Sequence, residues 1–440
     1  MRRHTLLHCC SILALLLSAT ACGRSEPVES EGTDVSLTGQ TVAVAGVWSG
    51  SEQEKFQKVL DAFSEKTGAK TKYVSTGPNV SSVISRTITS GHAPDVVMVP
   101  QVGVLKQFAK RGWLTPLSEW ARRGVKAKYA SVWEEQGSVD DVLYGLYFKA
   151  THKSMVWYDP DSLAKAEVKQ PTTWNEMLEV GYALAESGLA AVSVAGKDGW
   201  TLTDWFENIY LSQAGPEKYD ALAARQLKWT DSSVVEALAT LGRLFSDTRL
   251  LAGGQKAALN ADLPGSVGKV FGPGPEAGLV YEGDFVASIA KEQFNRKIGK
   301  DVKFFPFPAV GRGYPPVISS GDAAVVLKNG KNTNAGMRLV EYLTTSDAAA
   351  VWAKEGGFLS PNISLPFDNY KDSVARTAAE SLIGAVNSVR FDMSDQAPAD
   401  FGGTEGKGER KLLQDFLRSP SDPETTAAKL EAAAAESFKR

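Results

Sequence analysis

The chain has 440 residues, 43% hydrophobic and 22% charged, with a net charge of −3. That length exceeds what one hydrophobic core organises, so two domains are expected, and the composition is that of a folded rather than a disordered protein. The near-neutral balance, with no long basic stripe, argues against a nucleic-acid partner.

At the N-terminus Arg2 and Arg3 precede an apolar run, 12–17, too short to span a bilayer. Ser18, Ala19, Thr20 and Ala21 then lead to Cys22. This resembles a bacterial lipoprotein signal over 1–21, cut before Cys22, which then carries lipid. Ala19 stands where such signals usually have leucine, and a plain secretory peptide is the alternative. The cysteines are Cys9, Cys10 and Cys22, so cleavage leaves Cys22 alone and no disulfide pair. Residues 22–40, rich in Ser, Glu and Gly, read as a flexible tether.

The stretch 41–74 predicts strand, helix and strand. A β-branched apolar run is followed by Phe56, Val59, Leu60 and Phe63, which share one helix face. Ser51 and Glu54 have capping-box spacing, and Gly68 suits the residue past the helix end. The loop Trp48-Ser49-Gly50 then lies at the carboxyl edge of the first strand, where open α/β sheets bind ligands. Next come a helix ended by Gly91, an apolar strand over 96–99, and a further helix. This alternation predicts a parallel sheet with crossover helices.

Residues 142–160 are long for one strand and polar at Lys149, Thr151, His152 and Lys153, as a segment passing between two domains would be. Helices are predicted over 173–187, with Thr172 or Thr173 as cap, and on DWFENIYLSQAG and 234–245. GLVYEGDFV reads as strand, polar break and helix start. VKFFPFPAV suits a sheet edge because of its prolines. A strand broken at Ser320-Gly321-Asp322 gives a second crossing, and GGFLSPNISLP a third irregular passage. The tail from Lys371 is mostly helical. No 20–50-residue period repeats, which excludes solenoids and propellers.

From GVWSGSEQEKFQKVLDAFSEKTG through APDVVMVPQ, GLYFKATHKSMVWYDP, VYEGDFV, VISSGDAAVVLKNG and GGFLSPN to RFDMSDQAP, the chain resembles extracellular solute-binding proteins of bacterial ABC importers. It is most similar to the carbohydrate-binding, maltose and α-glucoside group. The resemblance implies a type II periplasmic-binding fold of two discontinuous α/β lobes, with three crossings near Lys149, Gly321 and Phe358. Lobe 1 would be 41–148 plus 321–357, and lobe 2 would be 149–320 plus 358–440. The implied partners are a carbohydrate held between the lobes, which close by hinge bending, and a membrane permease. The implied protein is a monomer, outside the cytoplasm, lipid-anchored to the cell membrane, without cofactor, metal or catalytic residues.

A sugar offers C–H faces to aromatic rings and hydroxyls to planar polar groups. The candidate ligand contacts are Trp48, Ser49 and Glu52 on the first loop, Gln101 after the 96–99 strand, and Lys149 on the first crossing. Trp205 and Glu207 come from DWFEN, and Glu282, Asp284 and Phe285 from YEGDF. Gly321, Asp322, Gly357 and Phe358 lie on the other crossings, and Asp392 and Asp395 in RFDMSD. Each has a structural alternative: Trp48 and Trp205 as core anchors, Glu52 at a helix N-terminus, Lys149 pairing with an acid at the hinge, Asp392 as a cap. On the ligand reading, Trp48→Ala weakens sugar binding with little loss of stability. Glu282 with Asp284, or Asp392 with Asp395, could also form the carboxylate pair of a glycoside hydrolase. Solitary histidines, His92 and His152, disfavour zinc and histidine catalysis.

Overall fold

Thr41–Gly46 (β1) is a strand because its β-branched and small residues suit a pleat covered on both faces, and all but its ends are largely buried. The helix Gly50–Thr67 follows, with Phe56, Val59, Leu60 and Phe63 fully inside. Gly68 ends it in the left-handed region, φ 76°, and its N–H bonds the Ser64 carbonyl. The expected capping box is absent. The helix starts one residue earlier, after Ser49, and the Ser51 hydroxyl donates instead to Glu292, 2.9 Å away. A computed structural model describes residues 36–77, 80–385 and 388–439. The lipoprotein signal and Cys22 lie outside these residues.

Lys70–Ser75 (β2) and Val96–Val99 (β3) pair with β1 in parallel. Leu114–Thr115 (β4) follows, and a small hairpin joins Ser138–Val139 (β5) to Val142–Leu143 (β6). Gly145–His152 (β7) leads directly into Met155–Tyr158 (β8). Ala190–Ser193 (β9), Ala277–Tyr281 (β10) and Lys303–Pro306 (β11) come next. Ile318–Leu327 (β12) and Arg390–Phe391 (β13) complete the strands. The larger sheet runs β13-β12-β3-β1-β2, with β4 and β7 also on β12; the smaller runs β11-β8-β10-β9. The prediction of β11 at a sheet edge holds.

The larger sheet is mixed, not parallel. β12 runs antiparallel to β3, β4 and β7, because the chain re-enters this sheet from the other one. Nor does β12 break at Gly321. It is one ten-residue strand whose pairing with β7 shifts register between Asp322 and Ala323. A Cβ on Gly321 would lie 2.5 Å from the Lys149 carbonyl oxygen, so this close strand approach needs glycine. The third passage lies alongside: the Ala150 N–H bonds the Leu359 carbonyl at 2.8 Å. Three chain crossings therefore sit side by side.

Two hydrophobic cores result. One packs the larger sheet around Phe56, Phe148, Trp352 and Phe358. The other packs helices against the smaller sheet around Trp174, Trp205, Phe206 and Phe307. Among the described residues, no helix is long and apolar enough to cross a membrane.

Candidate functional site

A cleft of about 410 Å³ opens between the N-terminus of the helix Gly50–Thr67 and the helix Val286–Phe294. Ser49, Ser51 and Glu52 line one side; Trp200, Phe285 and Ser288 line the other, with Gly357 between them. Trp200 and Phe285 meet edge to face at 6.0 Å, which leaves ring faces for an apolar surface. Trp200 opens the helix Trp200–Ala214 directly after Gly199, whose φ of 79° turns the chain into it. Gly357 is also left-handed, φ 70°, and a Cβ there would meet the Ser288 hydroxyl at 2.6 Å. Glu292 joins the two sides, accepting from Ser51 and from Lys55 at 3.3 Å.

Beneath Glu52 lies Lys149, buried, its Nζ 3.0 Å from Glu52 Oε1. Burial opposes the ammonium charge, but Glu52, Asp322 and Asp284 outweigh it and hold the pKa above the usual lysine range. Burial raises Asp322 to about 7 and Asp284 to about 6, with Lys149 pulling both down. Asp284 Oδ1 accepts the His152 N–H at 2.8 Å, which ties the turn after β10 to the end of β7.

A second charged cluster lies behind Trp200. Lys153 Nζ reaches Asp392 Oδ2 at 2.5 Å, Asp204 Oδ1 at 3.3 Å and Asp395 Oδ2 at 3.8 Å, and stands 5.5 Å from the Trp200 ring centroid. The three acids overcome burial and keep Lys153 charged. Asp392 is held well below the usual carboxylate range: burial opposes this, but Lys153 wins.

A family model of bacterial extracellular solute-binding proteins matches residues 49–350. The chain belongs to this family. The solute-binding protein is 28% identical over 398 residues to the osmoprotective compounds-binding protein GgtB of Synechocystis sp., covering 89% of this chain and 91% of that one. It is 30% identical over 380 residues to the alpha-glucosides-binding periplasmic protein AglE of Rhizobium meliloti, covering 83% and 81%. The solved structure of the bacterial solute receptor AcbH superposes with a TM-score of 0.78 at 19% identity, covering 91% of this chain and 99% of that one. The fold is the type II periplasmic-binding fold, and the family places the protein outside the cytoplasm.

The sequence candidates distribute unevenly in this solute-binding protein. Ser49, Glu52, Phe285 and Gly357 line the cleft. Lys149, Asp284 and Asp322 form the buried layer under it. Gln101 hydrogen-bonds Asp395, linking the end of β3 to the segment after β13. Trp48 is 2% exposed and sits against Phe56 at 4.7 Å and Trp352 at 4.9 Å, inside the larger core. Phe358 stacks on Trp352 in the same core, and Gly321 serves the strand approach described above. Trp205 packs on Tyr281 at 4.4 Å, inside the smaller core.

Glu207 is wholly buried and accepts the Met393 and Ser394 N–H groups at 2.7 and 2.9 Å, with the Tyr219 hydroxyl. Asp392 accepts the Asp395 N–H at 2.9 Å and so caps the helix Met393–Gln396, as its structural alternative foresaw. Neither carboxylate pair stands open as an acid and nucleophile would: Lys153 occupies Asp392, and the β7 backbone occupies Asp284. Trp200, Lys153 and Asp204 were not among the candidates. Trp200 and Asp204 share a helix face at i, i+4, a signal hidden because residues 201–212 are buried on all sides.

A larger hollow, about 580 Å³, lies elsewhere between Lys106, Glu135, Gln136, Asp220 and Arg390. It gathers none of the candidate residues.

Proposed function

We propose that this protein captures a carbohydrate in the cleft between Glu52 and Trp200 and delivers it to the permease of an ABC importer. The observation that carries this is the pairing of ring faces, Trp200 and Phe285, with Ser49, Ser51 and Glu52 across one cavity. Rings suit the C–H faces of a sugar, and the opposite wall suits its hydroxyls. Two relatives covering most of the chain, whose names specify alpha-glucosides and osmoprotective compounds, support the same reading and favour α-glucosides or oligosaccharides. The protein binds its ligand without transforming it.

In this reading lobe 1 comprises 41–148 plus 321–357, and lobe 2 comprises 149–320 plus 358–440. The two sheets and the adjacent crossings support that division. The protein is a monomer, anchored at the membrane by lipid on Cys22. The test is a thermal-shift screen across mono- and oligosaccharides. A ligand at a hundred times its Kd adds about 2.7 kcal/mol of apparent stability, which a melting curve resolves. Recovery of the ligand unchanged after release completes the test. No shift with any sugar, or a cleaved product, overturns the proposal.

A further inference from the structure

Behind Trp200, two carboxylate oxygens have no hydrogen-bond donor: Asp204 Oδ2 and Glu282 Oε1. Both residues are fully enclosed, at 0% and 1% exposure. They lie within hydrogen-bonding reach of each other, so two ionised groups here repel across a short gap. Leaving a buried acceptor unpaired costs about 1–3 kcal/mol, and more for a charge. Glu409 also has both oxygens unpaired and faces Asp392 and Glu207. Around Lys153 stand Asp204, Glu207, Glu282, Asp392 and Asp395, so negative groups outnumber the ammonium. Burial raises Glu282 to about 8 and Asp395 to about 7, which is the response of a site short of positive charge.

Resting on the carbohydrate reading, we propose that the Asp204–Glu282 pair is a subsite for a cationic group, and that the cleft prefers a sugar bearing a protonated amine to its neutral hydroxyl counterpart. An ammonium offers the donors that both orphan oxygens lack and offsets the local charge; a hydroxyl offers one donor and no charge. The Trp200 ring already has the Lys153 ammonium near it, so a second cation finds a favourable aromatic wall there. A metal ion fits less well. Oxygens of Asp204, Glu207 and Asp392 come within 4.8 Å of one another, but Lys153 holds two of these groups and backbone N–H groups hold the third. A carboxylate-bearing sugar would add to the negative excess and is rejected.

The experiment is calorimetric titration of the full protein at about pH 6, where an aliphatic amine is protonated. The probes are methyl α-glucoside, its amino-deoxy counterparts and methyl α-glucuronide. At least one amino-deoxy sugar should bind about tenfold or more tighter than the neutral glucoside, and the glucuronide should not bind detectably. Glu282→Gln and Asp204→Asn, each checked for folding by thermal melting, should collapse the amine-to-neutral affinity ratio towards one. Neutral glucosides binding as well as every amino sugar overturns this inference and leaves the carbohydrate reading standing. A ratio untouched by either variant also overturns it, as does stabilisation by calcium alone that both variants abolish. If no glucoside of any kind binds, the carbohydrate reading itself fails.

Discussion

Replacing Trp48 by alanine should unfold the protein more readily, reversing what its place in the sequence suggested. The ring is 2% exposed and meets Phe56 and Trp352 edge to face, at 4.7 and 4.9 Å. Truncating a buried tryptophan costs about 3–5 kcal/mol, and each aromatic pair adds about 0.5–1.5 kcal/mol beyond area. Trp48 also donates to the buried Asp322, whose acceptor would be left short. A loss of about 4 kcal/mol is expected. For a cooperative unit of about 200 residues this lowers the melting midpoint by roughly 8–16 °C. Differential scanning calorimetry without ligand reads this directly. A midpoint lowered by less than about 3 °C, together with abolished sugar binding, would refute the core assignment and return Trp48 to the cleft.

Two further expectations concern the clasp and the waist. Glu292→Ala removes the partner of Ser51 and Lys55 across the cleft, a half-exposed contact worth about 0.5–1 kcal/mol. Ligand affinity should fall about two- to fivefold with an unchanged melting midpoint, and high salt should weaken the wild type but not the variant. His152 accepts the Ser154 N–H at Nδ1, so its Nε2–H donates to Ser381 at 3.0 Å, and burial lowers its pKa to about 4. Below its ordinary 6.5 the unfolded imidazole takes a proton that the folded one refuses. Stability should therefore fall as pH drops from about 6.5 to 4, by on the order of 3 kcal/mol from this group. His152→Gln should lose less over that window in urea titrations; parallel profiles would discard the assignment.

Local pattern carried the first strand–helix–strand unit, because Phe56, Val59, Leu60 and Phe63 repeat with helical period and Gly68 closes it. The same local pattern misassigned Ser51, whose hydroxyl goes to Glu292, 241 residues away. No short window contains that partner. Trp205 and Trp200 were exchanged for a related reason. Their helix is buried around most of its circumference, so hydrophobic period cannot say which ring faces a cleft. The direction of β12 was equally hidden, since a returning strand shows the same residues whichever way it runs. Acidic loops were legible as chemistry, but which acids would be taken up by backbone N–H groups, as Glu207 is, depends on the distant Met393 and Ser394.

The register shift in β12 settles a question of parity. Tyr147 pairs with Ala323 and Lys149 with Asp322, so Phe148 has no opposite number. In an unbroken ladder Tyr147 and Lys149 would project to the same side. The extra residue sends them apart: Tyr147 joins Trp133 and Phe391, while Lys149 reaches Glu52. One supernumerary phenylalanine thereby keeps a cation out of the grease and aims it at the acids. Deleting Phe148 would invert that arrangement without altering a single polar side chain.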